Sequence, residues 1–147
     1  MILTTFDRFR NIGLLLLRIG IGTSFILIHG LSKITGGPAG WETLGKSTAN
    51  LGITFFPMFW GFMAAFSEFF GALLLLLGFF FRPITLLLSC TMFVAMMSHL
   101  TKLDPWGRVA YPMELMILFI ALFLIGPGKY SLDEYFKRKR ETKSPVS

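Results

Sequence analysis

Residues Phe56–Phe81 read FPMFWGFMAAFSEFFGALLLLLGFFF and carry one ionisable side chain, Glu68. At about 1.5 Å per residue the stretch is long enough to cross a hydrocarbon core of about 30 Å. A carboxylate near the middle of such a helix is costly unless it is paired or protonated. On a helical wheel of about 100° per residue, Gly61, Ala64, Ala65, Gly71 and Ala72 fall within about 60° of Glu68. Small residues on one face admit a neighbouring helix at close range. Glu68 is therefore expected to face a bundle interior, with the Phe and Leu side chains covering the other faces.

The rest of the chain agrees with that reading. Hydrophobic residues make up 54% of the 147 residues and the mean hydropathy is +0.67, above the roughly 45–50% apolar share of a soluble domain. The length suits one compact unit, residues 1–147. The net charge of +6, in an integral membrane protein, points to cytoplasmic loops and anionic lipid rather than to nucleic acid. The single cysteine, Cys90, excludes an intramolecular disulfide and a two-thiol relay within one chain.

Four apolar runs emerge, at residues 12–31, 56–81, 84–100 and 112–125. The first follows Arg8 and Arg10 but exceeds a usual signal-peptide core and is not followed by an A-x-A site, so it is expected to be retained. Phe81-Arg82-Pro83 reads as the turn between the second and third runs. Pro112 is expected to open the fourth, with Glu114 in its first turn. Gly126-Pro127-Gly128 stops it. Between the first two runs, Trp41, Leu44, Thr48 and Leu51 follow helical spacing, which suggests a short interfacial helix weakened by Gly45. Ser131 and Glu134 form an S-x-x-E start for a basic C-terminal helix within residues 129–147. The fold class is thus all-α: an integral membrane four-helix bundle with two accessory helices.

Charge sets the expected orientation. Arg8, Arg10, Arg82, Lys129, Lys137, Arg138, Lys139, Arg140 and Lys143 fall on the side of the termini, and Lys33, Lys46, Lys102 and Arg108 on the other. Both termini are therefore expected in the cytoplasm of a bacterial or archaeal cell, with the protein in the inner membrane. Trp41, Trp60, Trp106 and Tyr111 would then form an outer aromatic belt.

The candidate site residues are Arg18, His29, Lys33, Glu68, His99 and Glu114. Arg18, Gly22, His29 and Lys33 fall within about 60° of one another on the first helix, as a polar seam facing the bundle would. A plain alternative is that these side chains snorkel to the two membrane surfaces. By depth, Arg18 lies roughly 9 Å and Glu68 roughly 18 Å from the same membrane edge, which makes Arg18 the expected partner of Glu68. That pair is either a structural tie or part of a charged, proton-carrying pocket. His29, His99 and Glu114 are expected to converge on the outer side. Two imidazoles and a carboxylate can hold iron or zinc, can line the mouth of a pocket for a polar head group such as a quinone carbonyl, or can hydrogen-bond one another in a purely structural role. The metal-free pocket is the preferred reading. Met92, Met96, Met97, Met113 and Met116 read as packing. Cys90 falls opposite His99 on its helix and is not expected at the site.

Several motifs carry a resemblance. His29-Gly30-Leu31-Ser32-Lys33 resembles the HG-x-x-K element of the DoxX family. Glu68-Phe69-Phe70-Gly71, with Leu77-Gly78 and Arg82-Pro83, resembles its second-helix motif. Gly126-Pro127-Gly128-Lys129-Tyr130-Ser131-Leu132-Asp133 resembles its closing motif, and the resemblance runs in order over nearly the whole chain. It implies a small four-helix membrane protein. Some members are linked to sulfur oxidation as a subunit of a thiosulfate:quinone oxidoreductase, others to membrane complexes handling thiols and oxidative stress. His29, Lys33, Glu68, His99 and Glu114 match family positions, and Arg18 is an addition. The expected functions are a quinone-linked oxidoreductase subunit or accessory component, or a non-enzymatic scaffold or carrier of small lipophilic molecules. The first needs a partner redox subunit, because the chain has no CxxC and no haem-attachment motif. Membrane lipid and a second copy of the chain are the other expected partners.

Overall fold

The computed structural model describes residues 2–143, and every regular element in them is helical. Residues 144–147 of the expected basic tail lie outside the described residues. Helix α1 runs through Ile2–Ser24, a π-helical turn at Phe25–Gly30 and a last α turn at Leu31–Ile34. Helix α2 is Gly37–Gly45, continued by a 3-10 segment, Lys46–Leu51. Helix α3 comprises Pro57–Phe66, a second π-helical turn at Ser67–Gly71, and Ala72–Leu77. Helices α4, α5 and α6 are Phe81–Thr101, Trp106–Ile125 and Leu132–Lys143.

Four helices among the described residues are long and apolar enough to cross a membrane: Phe9–Ile34, Pro57–Leu77, Phe81–Thr101 and Trp106–Ile125. Large apolar side chains remain on their outer faces, including Leu16, Leu27, Leu86, Phe93, Ile117 and Leu124. In water so many would make an aggregation-prone surface; against lipid they are solvated by acyl chains. The interior is built from Leu14, Phe25, Leu75, Phe81, Leu88 and Phe119, with smaller neighbours.

Two boundaries differ from expectation. The turn between α3 and α4 lies at Gly78–Phe80, not at Phe81-Arg82-Pro83. Gly78 takes φ +65° as the helix stop, a conformation glycine adopts without a Cβ penalty. Pro83 lies in the first turn of α4, where its missing N–H forfeits no helical bond. Helix α5 begins at Trp106, so Pro112 lies inside it rather than at its start, and Glu114 lies beyond the first turn.

Small residues set the close contacts. A Cβ on Gly22 would come within 2.9 Å of the Leu76 side chain, and one on Gly30 within 2.6 Å of the Glu68 carbonyl oxygen, so α1 and α3 cross nearly backbone to backbone. A Cβ on Gly45 would meet the Pro57 oxygen at 1.7 Å, and one on Gly61 the Trp41 oxygen at 1.7 Å. Gly45 therefore does not simply weaken α2. It lets α2 seat on the first turns of α3, which repays its low helix propensity in packing. Trp41 belongs to this junction: its indole N–H donates to the Lys33 carbonyl at 2.9 Å, and its ring packs edge-on to Phe62. Trp106, by contrast, is well exposed.

Candidate functional site

The six candidate residues divide between the two ends of the bundle. The carboxylate of Glu68, buried, accepts from Lys33 Nζ at 2.6 Å on Oε1 and 2.5 Å on Oε2. The ammonium is about one-third exposed. Both residues are presented by departures from regular α geometry. Glu68 stands within the π-helical turn of α3, and Lys33 one turn past that of α1. A π turn inserts a residue into the helical repeat and re-aims the side chains that follow, and such turns recur at functional sites. The two π turns meet where Gly30 packs on the Glu68 and Phe69 backbone.

The expected Arg18–Glu68 pair does not form. The guanidinium of Arg18, buried, points to the opposite end of α3 and donates four hydrogen bonds to backbone carbonyls. Nε reaches Leu75 at 3.1 Å and Nη2 reaches Leu76 at 2.8 Å. Nη1 reaches Pro127 at 3.0 Å and Tyr130 at 2.8 Å. The last carbonyls of a helix have no i+4 donor, and the helix dipole makes them attractive to a cation. Arg18 takes that solution, and Lys33 reaches Glu68 from the other side. The polar seam on α1 is likewise divided. Arg18, Gly22, Gly30 and Lys33 face α3, whereas His29 faces α5, where its Nε2 meets the Tyr111 hydroxyl at 2.6 Å.

The outer cluster forms in altered company. His99 Nδ1 meets the Asp104 carboxylate at 2.7 Å, and Asp104 also lies 3.6 Å from Arg108. The His99 hydrogen bond is the main cause that holds the Asp104 carboxyl below its ordinary value of 3.8, with smaller help from Arg108 and Lys102. Glu114 is exposed on α5 and does not join the two histidines. Because α5 starts earlier than expected, Tyr111 occupies the place facing His29. The His29, His99 and Glu114 ligand set is therefore not assembled, and no group of three or more His, Cys, Asp or Glu among the described residues stands close enough to hold a metal.

Two cavities meet at this cluster. A smaller one of about 280 Å³ is lined by Phe25, His29, Met92, Tyr111 and Pro112 together with Lys33, Glu68, Ala95 and His99. A larger one of about 510 Å³ shares Lys33, Glu68, Ala95 and His99 and extends between α2, α3 and α4. Its further wall includes Phe59, Trp60, Met63, Leu87, Thr91 and Val94. Cys90, exposed, also lines this larger cavity, contrary to its expected separation from the polar site. The wheel placed it opposite His99, but the cavity spans more than one face of α4. Thr91 is tied to α3 by a 2.7 Å hydrogen bond with Ser67, which fixes one side of the opening.

A family model named DoxX matches residues 13–100, more than half of the chain. The chain belongs to the DoxX family. The matched segment contains His29, Lys33, Glu68 and His99, four of the five ionisable residues that line the smaller cavity; the fifth, Tyr111, lies beyond it. Glu114 and the Gly126–Asp133 motif lie beyond it. No curated protein and no solved structure matches the chain. Family membership and four apolar helices make this DoxX protein a multi-pass membrane protein.

Sequence reasoning missed Asp104 and Tyr111. Asp104 carried a usable signal, since an acid five residues after His99 falls in the loop that turns back towards it. Tyr111 carried little, because an interfacial tyrosine usually reads as a membrane anchor.

Proposed function

We propose that this DoxX protein binds a quinone-type molecule in the larger cavity and serves as the quinone-linked subunit or accessory component of a membrane oxidoreductase. The observation that carries the reading is the Lys33–Glu68 pair and His99 set in a cavity wall that combines apolar side chains such as Phe59, Met63, Leu87 and Val94 with the hydroxyls of Thr48, Thr91 and Ser98 and with Lys102. Its volume lies within the usual range for ligand pockets of about 300–1,000 Å³. The donor set fits such a ligand. Lys33 Nζ can donate to a ring oxygen, and Glu68 can hold a proton at Oε1 or Oε2. With His99 Nδ1 engaged by Asp104, Nε2 is the nitrogen left to meet a ligand. Phe59, Met63 and Val94 offer apolar contact to a ring and its tail. A bound quinone would supply two-electron, two-proton chemistry. The chain supplies charge, proton-holding atoms and exclusion of water, and a partner subunit would supply electrons. The charge distribution supports an orientation with both termini in the cytoplasm.

The test is a titration of detergent-purified protein with a short-chain quinone, read by quenching of tryptophan fluorescence, since Trp60 lines the cavity. Saturable quenching is expected, weakened about 10-fold or more in Glu68→Gln, as loss of a charge-assisted contact implies. Equal binding of a decyl alcohol, which has no quinone ring, would instead favour a carrier of small lipophilic molecules.

A further inference from the structure

Where α4 begins and α5 ends, these two helix ends, the start of α6, part of α1 and the α5–α6 loop enclose a second polar region. Arg10 comes from α1, Arg82 from the first turn of α4, Lys129 from the α5–α6 loop and Lys137 from α6. All four line one open cleft of about 570 Å³. Two acids, Asp133 and Glu134, share the lining, and three of their four oxygens accept other hydrogen bonds. Asp133 Oδ1 accepts from the Phe80 N–H at 3.0 Å and Oδ2 from the Phe81 N–H at 2.9 Å. Glu134 Oε1 accepts from Arg138 Nε at 3.1 Å. For Arg82, Lys129 and Lys137, no carboxylate stands within ion-pair distance among the described residues. Arg82 is held over the Phe123 ring, 6.0 Å from its centre. The cleft thus gathers Arg82, Lys129 and Lys137 from separate parts of the chain, none of them in an ion pair among the described residues.

Its position completes the case. The cleft lies where α4 begins at Phe81 and α5 ends at Ile125, the edge of two membrane-spanning helices. That is the depth of lipid headgroups. Phe80, Pro83 and Ile125 contribute apolar wall beside the cations, a combination suited to a headgroup with acyl chains attached. Helix α6 is fixed over it: the Asp133 N–H donates to Gly78 at 3.0 Å and Phe136 packs against Phe79. We propose that this cleft binds the phosphate headgroup of an anionic phospholipid, with Arg82 and Lys129 as its principal phosphate contacts and Lys137 closing it from α6. The site is remote from the Lys33–Glu68 cluster and does not depend on quinone binding there.

Native mass spectrometry of the detergent-purified protein tests this, with phosphatidylglycerol and phosphatidylcholine of matched chains as probes. Phosphatidylglycerol adducts are expected to be retained preferentially. The Arg82→Gln, Lys129→Gln double variant should weaken them about 25-fold, from about fivefold for each cation removed near an anionic surface. The charge-preserving Arg82→Lys, Lys129→Arg variant should retain them, as should Lys46→Gln, Lys102→Gln at the other end. Both target side chains are exposed, so the fold does not depend on them. Equal retention of phosphatidylcholine, or an undiminished adduct in the charge-removing variant, would overturn the site. Binding of inorganic phosphate alone with the same dependence on Arg82 and Lys129 would overturn the assignment to lipid.

Discussion

Arg18 and Glu68 are both buried charges inside an apolar bundle, but the fold treats them in opposite ways. Arg18 is closed in: four carbonyls satisfy its guanidinium, and Gly78 lies so near that a Cβ there would come within 2.6 Å of it. Its acceptors come from two other segments, so it ties α1 to the end of α3 and to the loop after α5. Glu68 is left open: its partner is one partly exposed ammonium, and two cavities touch the pair. A charge met by backbone on all sides has no freedom to exchange partners. A charge met by one partly exposed side chain beside a cavity can exchange that partner for a ligand. The contrast makes the Arg18 end a structural tie and leaves the Glu68 end as the one able to exchange its partner for a ligand.

The largest expected effect tests the closed end. Arg18→Met should lower stability in detergent by about 3–5 kcal/mol, as removal of one side of a buried polar network does. Adding Glu68→Leu should not rescue it, because the two residues are not partners. Rescue by the double change would restore the discarded ion pair and break the comparison. Gly61→Ala tests the packing between α2 and α3 that closes one wall of the cavity. Its Cβ would strike the Trp41 carbonyl, and a cost of about 1–3 kcal/mol is expected from overpacking. An unchanged melting temperature would show that α2 is not seated as described.

Lys33→Met should cost less, about 1–3 kcal/mol, because the Lys33–Glu68 pair is partly exposed beside a cavity rather than enclosed by backbone as Arg18 is. The same substitution should abolish saturable quinone quenching. A stability loss as large as that of Arg18→Met, with ligand binding intact, would erase the distinction between the two ends.

These two ends also mark how far the sequence could be read. The four helices, their order and the inward face of Glu68 followed from hydropathy and period alone. The partner of Glu68 did not, for two physical reasons. Depth along an axis ignores the unpaired carbonyls at a helix C-terminus, which attract Arg18 more directly than a carboxylate two turns away. A wheel at 100° per residue assumes an unbroken α-helix, and the π turns at Phe25–Gly30 and Ser67–Gly71 break that register at His29 and Glu68 and ahead of Lys33. Nothing in FILIHG or SEFFG announces such a turn. Glu114 fails through a boundary: Pro112 reads as a helix start, whereas α5 extends six residues further to Trp106, and Tyr111 meets His29 instead.

The smallest expected effect lies at the rim of the open end and depends on pH. Asp104 is held by His99 on one side and Arg108 on the other, with Lys102 nearby. These neighbours favour its charged form, so its carboxyl titrates below the ordinary 3.8 in the folded protein. A depressed folded value means that the unfolded chain takes up this proton first as pH falls. The stabilisation is therefore fully present above 3.8, and it is lost as pH falls through the lower folded value. Asp104→Asn removes that dependence. The melting temperature of the wild type should exceed that of Asp104→Asn by a small, constant amount at neutral and mildly acidic pH, and the gap should narrow as pH falls below 3.8. A gap that widens on acidification would show that Asp104 is not held as a carboxylate by His99. A gap that persists unchanged at the lowest pH would show that the substitution acts through the loop backbone instead. If the gap closes as expected while quinone quenching of Asp104→Asn also weakens at neutral pH, then Asp104 positions His99 for the cavity, and the open end extends to this loop.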